Sequence, residues 1–337
     1  MESGKEIKKH IKIDYVDFWP GLDKETFVFT NVLRKYYDVE ISESPDYVFC
    51  SCFGGSSDHF KYPGAVKILY LGENIVPDFN LYDYAIGFNY IEFEDRYIRL
   101  PLYALYTDSI KPALDKHTFS DEYYLAKKGF CNYVISNPSA APERDAMIDA
   151  LNKYKTVDSG GKYRNNVGGP VPNKKAFAEK YRFTMAFENS STPGYTTEKI
   201  LEAFSAQTIP IYWGSTRVAE EFNQESFINC NDYSSFEEVV ERVKEINEND
   251  ELFLKMIKTP AIVEGRMAYE YIKDSYLDDF FRNIVEQEHD RAIRRNMVYF
   301  GLRYQNDMKK NKDAEGVRNI VAKPVHLIKK KLKQMKS

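Results

Sequence analysis

Short apolar runs recur from Ile11 to Trp213, each closed by a turn signal and most followed by a stretch of helical character. This alternation restricts the fold more than any single motif does. Ile11–Phe18 (IKIDYVDF) reads as a strand ended by Trp19-Pro20-Gly21. Asp23–Tyr37 predicts a helix, Asp46–Ser51 (DYVFCS) and Ala65–Leu71 (AVKILYL) predict buried strands, and Tyr84–Phe88 predicts another. Runs without polar alternation, set between helices, indicate a parallel sheet covered on its faces. A second series opens at Cys131. CNYVISN, Arg182–Phe187 and Thr208–Trp213 read as strands, and Pro142–Lys153, Thr196–Ala206 and Ser234–Ile246 as helices. The stretch Tyr106–Gly129 is polar and irregular, which puts a domain junction there. The expected division is a first domain over residues 1–128, a second over 129–290 and a helical, basic tail over 291–337. Two βα-rich halves imply a cleft, with ligands held at the carboxyl ends of the strands.

At 337 residues with 43% hydrophobic and 29% charged side chains, the chain has ample material for a core. No run approaches the roughly 18 apolar residues of a membrane span, and Met1–Lys12 is too charged for the apolar centre of a secretory signal. Four cysteines (Cys50, Cys52, Cys131, Cys230) are too few for a disulfide scaffold and read as thiols, so the expected location is cytoplasmic. The net charge of −4 hides a division: residues 309–337 carry +8 and the rest −12. Within that tail, VHLIKKKLKQM (Val325–Met335) sets Ile328, Leu332 and Met335 on one side of a helix and lysines on others. Such a helix suits an anionic membrane surface, which would make the protein peripheral on the inner membrane; the alternative is a solvated tail. Nucleic acid is not expected, because the body is acidic and carries no motif for it. Phosphate-loop, dinucleotide-fingerprint, serine-elbow and zinc-ligand spacings are all missing, which removes support for ATPase, dehydrogenase, serine hydrolase and zinc enzyme readings.

The segment Phe187–Ser215, FENSSTPGYTTEKILEAFSAQTIPIYWGS, carries the most chemistry. A strand runs into a polar turn containing Pro193 and Gly194, then a helix that Thr196 or Thr197 can cap. At helical spacing Tyr195, Glu198, Lys199 and Glu202 share one side, and Ile200, Leu201 and Phe204 the other. If the apolar side packs on the sheet, the polar side is free to meet a phosphate at the helix N-terminus, with Glu198 accepting from sugar hydroxyls and Tyr195 offering an aromatic face. The alternative from pattern alone is an ordinary surface helix.

This segment resembles the signature of glycosyltransferase family 10, the α-1,3/1,4-fucosyltransferases, in their bacterial form. The likeness extends to LGENIVPDFNLYDYAIGF (Leu71–Phe88), RYIRLPLY (Arg96–Tyr103) and SNPSAAPERDAMIDAL (Ser136–Leu151), and so covers Ile11 to Tyr271. It implies an α/β protein of GT-B fold, two Rossmann-like domains facing a cleft, the first for the acceptor and the second for GDP-fucose. It implies inverting transfer to the 3-hydroxyl of N-acetylglucosamine in a β-galactosyl acceptor, giving a Lewis x type product within lipopolysaccharide biosynthesis. Transfer to the 4-hydroxyl, dual specificity, another nucleotide-sugar donor and a non-catalytic binding relative are the alternatives. By the same resemblance Glu73 is the base, and Arg144 and Lys199 contact the diphosphate, replacing the metal that a D-x-D motif would hold. Tyr195 and Glu198 hold the donor, Glu198 also easing charge at the anomeric carbon, and Asn189, Arg164 and Glu188 are secondary donor-site candidates. No obligatory cofactor is implied, and Mn²⁺ or Mg²⁺ would enter only as stimulants. The tail beyond Asp290 lacks the heptad repeats that some bacterial members carry.

Overall fold

The computed structural model describes residues 8–55 and 57–315. The amphipathic segment Val325–Met335 lies outside the described residues. The chain forms two units. One takes the described residues up to Ile86, Phe93–Ile98 and those from Leu277 onward; the other takes Gly87–Glu92 and Arg99–Tyr276. These limits differ from junctions at 128 and 290. The helix Thr107–Leu114 packs on the helix Glu198–Ser205 of the second unit, with Gln207 Nε2 donating to Pro112 O at 2.8 Å.

The first unit is built on a six-stranded sheet of β1 (His10–Val16), β2 (Asp38–Ile41), β3 (Tyr47–Cys50), β4 (Val66–Tyr70), β5 (Tyr84–Gly87) and β6 (Tyr97–Arg99), in the order β2-β1-β3-β4-β5-β6. β1 pairs in parallel with β2 and β3, and β3–β4 and β4–β5 are parallel as well. β3, β4 and β5 are buried at every position, as their unbroken apolar runs require. The helix expected over Asp23–Tyr37 spans only Val28–Arg34. Asp23 accepts from Glu25 N at 3.0 Å and from Thr26 Oγ1 at 2.7 Å, so a side-chain turn holds the residues that would have begun it. The returning chain closes this unit. Phe281, on the helix Asp278–Glu286, meets Phe29 and Phe49 edge-on at 5.5 and 5.6 Å. Buried Asp83 accepts from the backbone N–H of Lys67 at 2.7 Å and of Arg294 and Arg295 at 2.8 Å, and pairs with the Arg295 guanidinium.

The second unit holds a five-stranded sheet of β7 (Gly129–Tyr133), β8 (Val157–Ser159), β9 (Tyr181–Phe187), β10 (Ile209–Trp213) and β11 (Ile228–Asn229), in the order β11-β10-β9-β7-β8, with all pairs parallel. From β7 the chain moves outward to β8, then returns to place β9 on the other side of β7. The segments leaving β7 and β9 therefore run apart, the geometry that opens a crevice at the carboxyl ends of a parallel sheet. The helices following these strands are Glu143–Tyr154 and Glu198–Ser205. Among the described residues no helix is long and apolar enough to cross a membrane.

Candidate donor site in the second unit

β9 delivers Glu188 into a fully buried position at the crevice. Its carboxylate accepts from Thr197 N at 2.7 Å, Thr197 Oγ1 at 2.6 Å and Lys199 Nζ at 3.0 Å. Burial pushes its pKa up, and the Lys199 ammonium opposes that rise. Glu188 thus ties the strand end to the first turn of the following helix. The expected side-chain cap is not made: the Thr197 hydroxyl donates to Glu188, and the Thr196 hydroxyl to Glu221 at 2.9 Å.

The turn between them bears on a second buried carboxylate. Glu221 receives Arg99 Nη2 at 2.8 Å, Tyr103 Oη at 2.7 Å and the Thr196 hydroxyl. Arg99 also donates to Phe88 O at 2.8 Å, Gly194 O at 2.9 Å and Tyr271 Oη at 2.7 Å. Gly194 has φ +92°, and a Cβ there would lie 2.3 Å from Phe88 O, so both conformation and space demand glycine. Ser215 Oγ accepts from Gly194 N at 2.9 Å, completing the anchorage of this turn.

Helix Glu198–Ser205 then divides as its periodicity predicts. Ile200, Leu201 and Phe204 are fully buried, while Glu198, Lys199 and Glu202 line a cavity of about 570 Å³ lying entirely within the second unit. Asn137 and Arg144, from beyond β7, and Asn189, from beyond β9, share that lining. Arg144 is buried, yet its guanidinium meets only carbonyls: Nη1 donates to Asn137 O at 3.2 Å and Nη2 to Pro138 O at 2.7 Å. The group lies over the Tyr163 ring at 4.8 Å, and among the described residues its Nε has no hydrogen-bond partner. A desolvated cation without a carboxylate, with a donor left over, suits an anionic ligand. Lys199 reinforces it from the helix N-terminus, balanced by Glu188 and by Glu198 at 3.8 Å.

The structure brings together Arg144, Asn189, Glu198 and Lys199 but not the whole expected set. Tyr195 is buried with its ring edge-on to Phe88 at 4.9 Å and does not line the cavity. Arg164, in a left-handed conformation at φ +48°, also stands outside it and pairs with Asp149 at 2.5 Å. A residue pair too far apart in sequence to be read together supplied the competing partner. Glu73 is exposed in the turn after β4, in the first unit. Asn132 and Lys174 line the cavity and were not expected there; the polar Asn132 inside the run FCNYV was the one available signal. Among the described residues, no three His, Cys, Asp or Glu side chains gather as a metal site.

Two parallel-sheet units, one with a polar, cation-bearing cavity at a strand-switch point, are the architecture of the GT-B class of glycosyltransferases. A structure from Anabaena, HepE in complex with UDP-glucose, shares this fold at TM-score 0.52 with 8% identity, over 82% of this chain and all of that one. Family comparison narrows the class. Residues 13–106 match the α-(1,3)-fucosyltransferase FucT N-terminal domain, and residues 124–259 match the glycosyltransferase family 10 (fucosyltransferase) C-terminal region. An α1,3-fucosyltransferase crystal structure superposes at TM-score 0.74 with 31% identity, covering 87% of this chain and 94% of that one. The Helicobacter pylori α-(1,3)-fucosyltransferase FucT is 36% identical over 320 residues, 82% of this chain and 66% of that protein. The chain belongs to glycosyltransferase family 10. It spans less than two thirds of the length of the curated relatives it matches.

Proposed function

We propose that this protein is an inverting α-1,3-fucosyltransferase that moves L-fucose from GDP-β-L-fucose to the 3-hydroxyl of N-acetylglucosamine in a β-galactosyl acceptor. The observation that carries the donor assignment is Arg144, buried without a carboxylate in the cavity that Lys199 enters. A second α1,3-fucosyltransferase crystal structure, at TM-score 0.69 and 31% identity, is of a complex with GDP-fucose, which supports the same donor here.

In this reading Arg144 and Lys199 take up the negative charge that grows on the β-phosphate as the bond from the anomeric carbon to the diphosphate oxygen breaks. Glu198 hydrogen-bonds the sugar and eases positive charge at that carbon, and Asn189 orients the donor. Glu73 takes the proton from the acceptor hydroxyl, whose oxygen forms the new bond on the opposite face and inverts the configuration. Tyr195 and Arg164 belong to the donor site only if binding moves them from the partners described above. The tail 309–337 holds the enzyme to an anionic membrane surface; unchanged partitioning onto acidic vesicles after its deletion would end that idea.

The test is GDP release with GDP-fucose and N-acetyllactosamine, set against a control without acceptor, with mass spectrometry of the product. Acceptor-dependent release with a gain of one deoxyhexose establishes the transfer, and linkage analysis separates the 3- from the 4-hydroxyl. Tight GDP binding with no product from any β-galactoside would leave a binding relative. Glu73→Ala is expected to abolish turnover and spare GDP affinity; near-normal turnover would remove Glu73 from the mechanism.

A further inference from the structure

The turn that carries Glu73 is held by more than its own strand. Gly72, between β4 and Glu73, is not in a left-handed conformation, so nothing in its backbone asks for glycine. The demand is spatial: a Cβ there would lie 2.7 Å from Cζ and 2.9 Å from Cε2 of the Phe53 ring. Phe53 is 41% exposed, too open for a core residue, and the exposed Trp19 ring meets it edge-on at 5.6 Å. An aromatic ring at the surface therefore lies against the backbone one residue before Glu73.

What fixes Phe53 is Asp17, at the end of β1. Asp17 takes φ +61°, a left-handed conformation that costs a non-glycine residue free energy. Its carbonyl accepts from Phe53 N and Gly54 N at 2.9 Å each, and its carboxylate from Ser57 N at 3.3 Å and Asp58 N at 3.0 Å. Gly54 permits this approach, since a Cβ on it would stand 2.6 Å from Asp17 Cα. Burial pushes the Asp17 pKa up, but buried His59, with Nδ1 3.7 Å from Oδ2, and the two N–H groups outweigh that and hold the carboxyl below its usual value. Strain and buried charge both destabilise a fold, and the ring they hold is not part of the core. Their effect is to set Phe53 beside Glu73.

We propose that Asp17 and Phe53 are positioning residues for Glu73: Asp17 seats the loop over 53–58, the loop sets Phe53 on Gly72, and that contact fixes the direction in which Glu73 meets the acceptor hydroxyl. Neither residue touches the reacting atoms. The inference rests on the reading of Glu73 as base. A base must come within about 2.6–3.2 Å of the group whose proton it takes, and a misplacement of roughly 1 Å lowers a rate by as much as about a hundredfold. The cavity assigned to the donor lies wholly in the second unit, so these residues of the first unit bear on turnover and not on GDP affinity.

The test is steady-state kinetics of the full chain with GDP-fucose and N-acetyllactosamine, alongside calorimetric titration with GDP. Phe53→Ala removes an exposed ring and is expected to lower kcat by about tenfold or more, with GDP affinity within about twofold of the wild type. Phe53→Leu, which refills the space over Gly72, should recover most of the loss. Gly72→Ala should lower kcat by displacing the ring, yet add little in a Phe53→Ala background, where the clash is gone. Asp17→Asn should give the same separation of kcat from GDP affinity; should that variant fail to fold, Phe53→Ala decides. Unchanged kcat in Phe53→Ala, equal loss of kcat and GDP affinity, or additive losses from Gly72→Ala and Phe53→Ala overturns the positioning role and leaves Glu73 as base. A Glu73→Ala enzyme with near-normal turnover overturns the base reading, and this inference with it.

Discussion

Two buried arginines of the second unit sit in opposite circumstances. Arg99 has a partner for every nitrogen, including the Glu221 carboxylate at 2.8 Å, and that carboxylate is itself saturated by Tyr103 and Thr196. Arg144 is as deeply placed, yet among the described residues it has two carbonyls, no carboxylate and an idle Nε. The first arrangement is complete in the polypeptide alone and holds the Gly194 turn in place. The second becomes complete only when an anion arrives. Buried charge by itself therefore does not mark a site; a buried charge whose partners fall short does.

Breaking the complete arrangement should have the largest effect. Glu221→Ala strands the Arg99 guanidinium and is expected to lower unfolding free energy by about 3–5 kcal/mol in a denaturant titration. A loss under ~1 kcal/mol would erase the contrast between the two arginines. Saturation with nucleotide comes next: GDP at about a hundred times its dissociation constant should add ~2.7 kcal/mol to the wild type. At that same GDP concentration the gain should fall to between about 1.4 and about 0.4 kcal/mol in Arg144→Ala, whose affinity falls by roughly ten- to a hundredfold, the loss of a hydrogen bond to charge. Without ligand, Arg144→Ala should unfold at or above the wild-type temperature, since it removes an uncompensated buried cation. A marked fall there would make Arg144 a structural residue like Arg99.

A third buried cation gives the smallest effect and a pH signature. Lys116 is fully buried, donates weakly to Ser226 O and Thr259 O at 3.4 Å each, and lies over Phe204 at 4.9 Å. Burial pushes its pKa down to about 7. Below pH 7 both folded and unfolded chains hold the proton, and the folded one bears the full cost of burying it. As pH rises from about 7 towards 10.5, the unfolded chain binds more protons at this group, so its contribution to stability rises. Lys116→Met should raise the melting temperature by about 2–4 °C at pH 6 and by less at pH 9. An equal shift at both values would mean that Lys116 does not titrate in this range.

What could be read from the sequence was local. Runs such as AVKILYL and RFTMAF announce buried strands by composition, and the split of Glu198–Ser205 into polar and apolar sides follows from helical spacing alone. β2, β6, β8 and β11 (DVEI, YIR, VDS, IN) are short and lack the sustained apolar run that announces β3 and β5, which are no longer than β2. Asp23 turned the start of a helix-like stretch into a side-chain turn, a contest that spacing does not decide. Arg144 and Lys199 stood out through resemblance, whereas the idle Nε of Arg144 is a property of three-dimensional partners. Arg164 illustrates the same limit: its charge was legible, but its pairing with Asp149 was not.

The return of the chain at Leu277 to the first unit has a consequence for the order of events during synthesis. The rings of Phe29 and Phe49 and the carboxylate of Asp83 acquire Phe281, Arg294 and Arg295 only after the whole intervening stretch has been made. The stretch Arg99–Tyr276 is nearly continuous and can begin to fold as it emerges from the ribosome, while the earlier residues wait with an open aromatic core. The amino-terminal unit is then the later to mature, and a ribosome stalled near residue 276 would hold a chain whose first-made third is its less protected part.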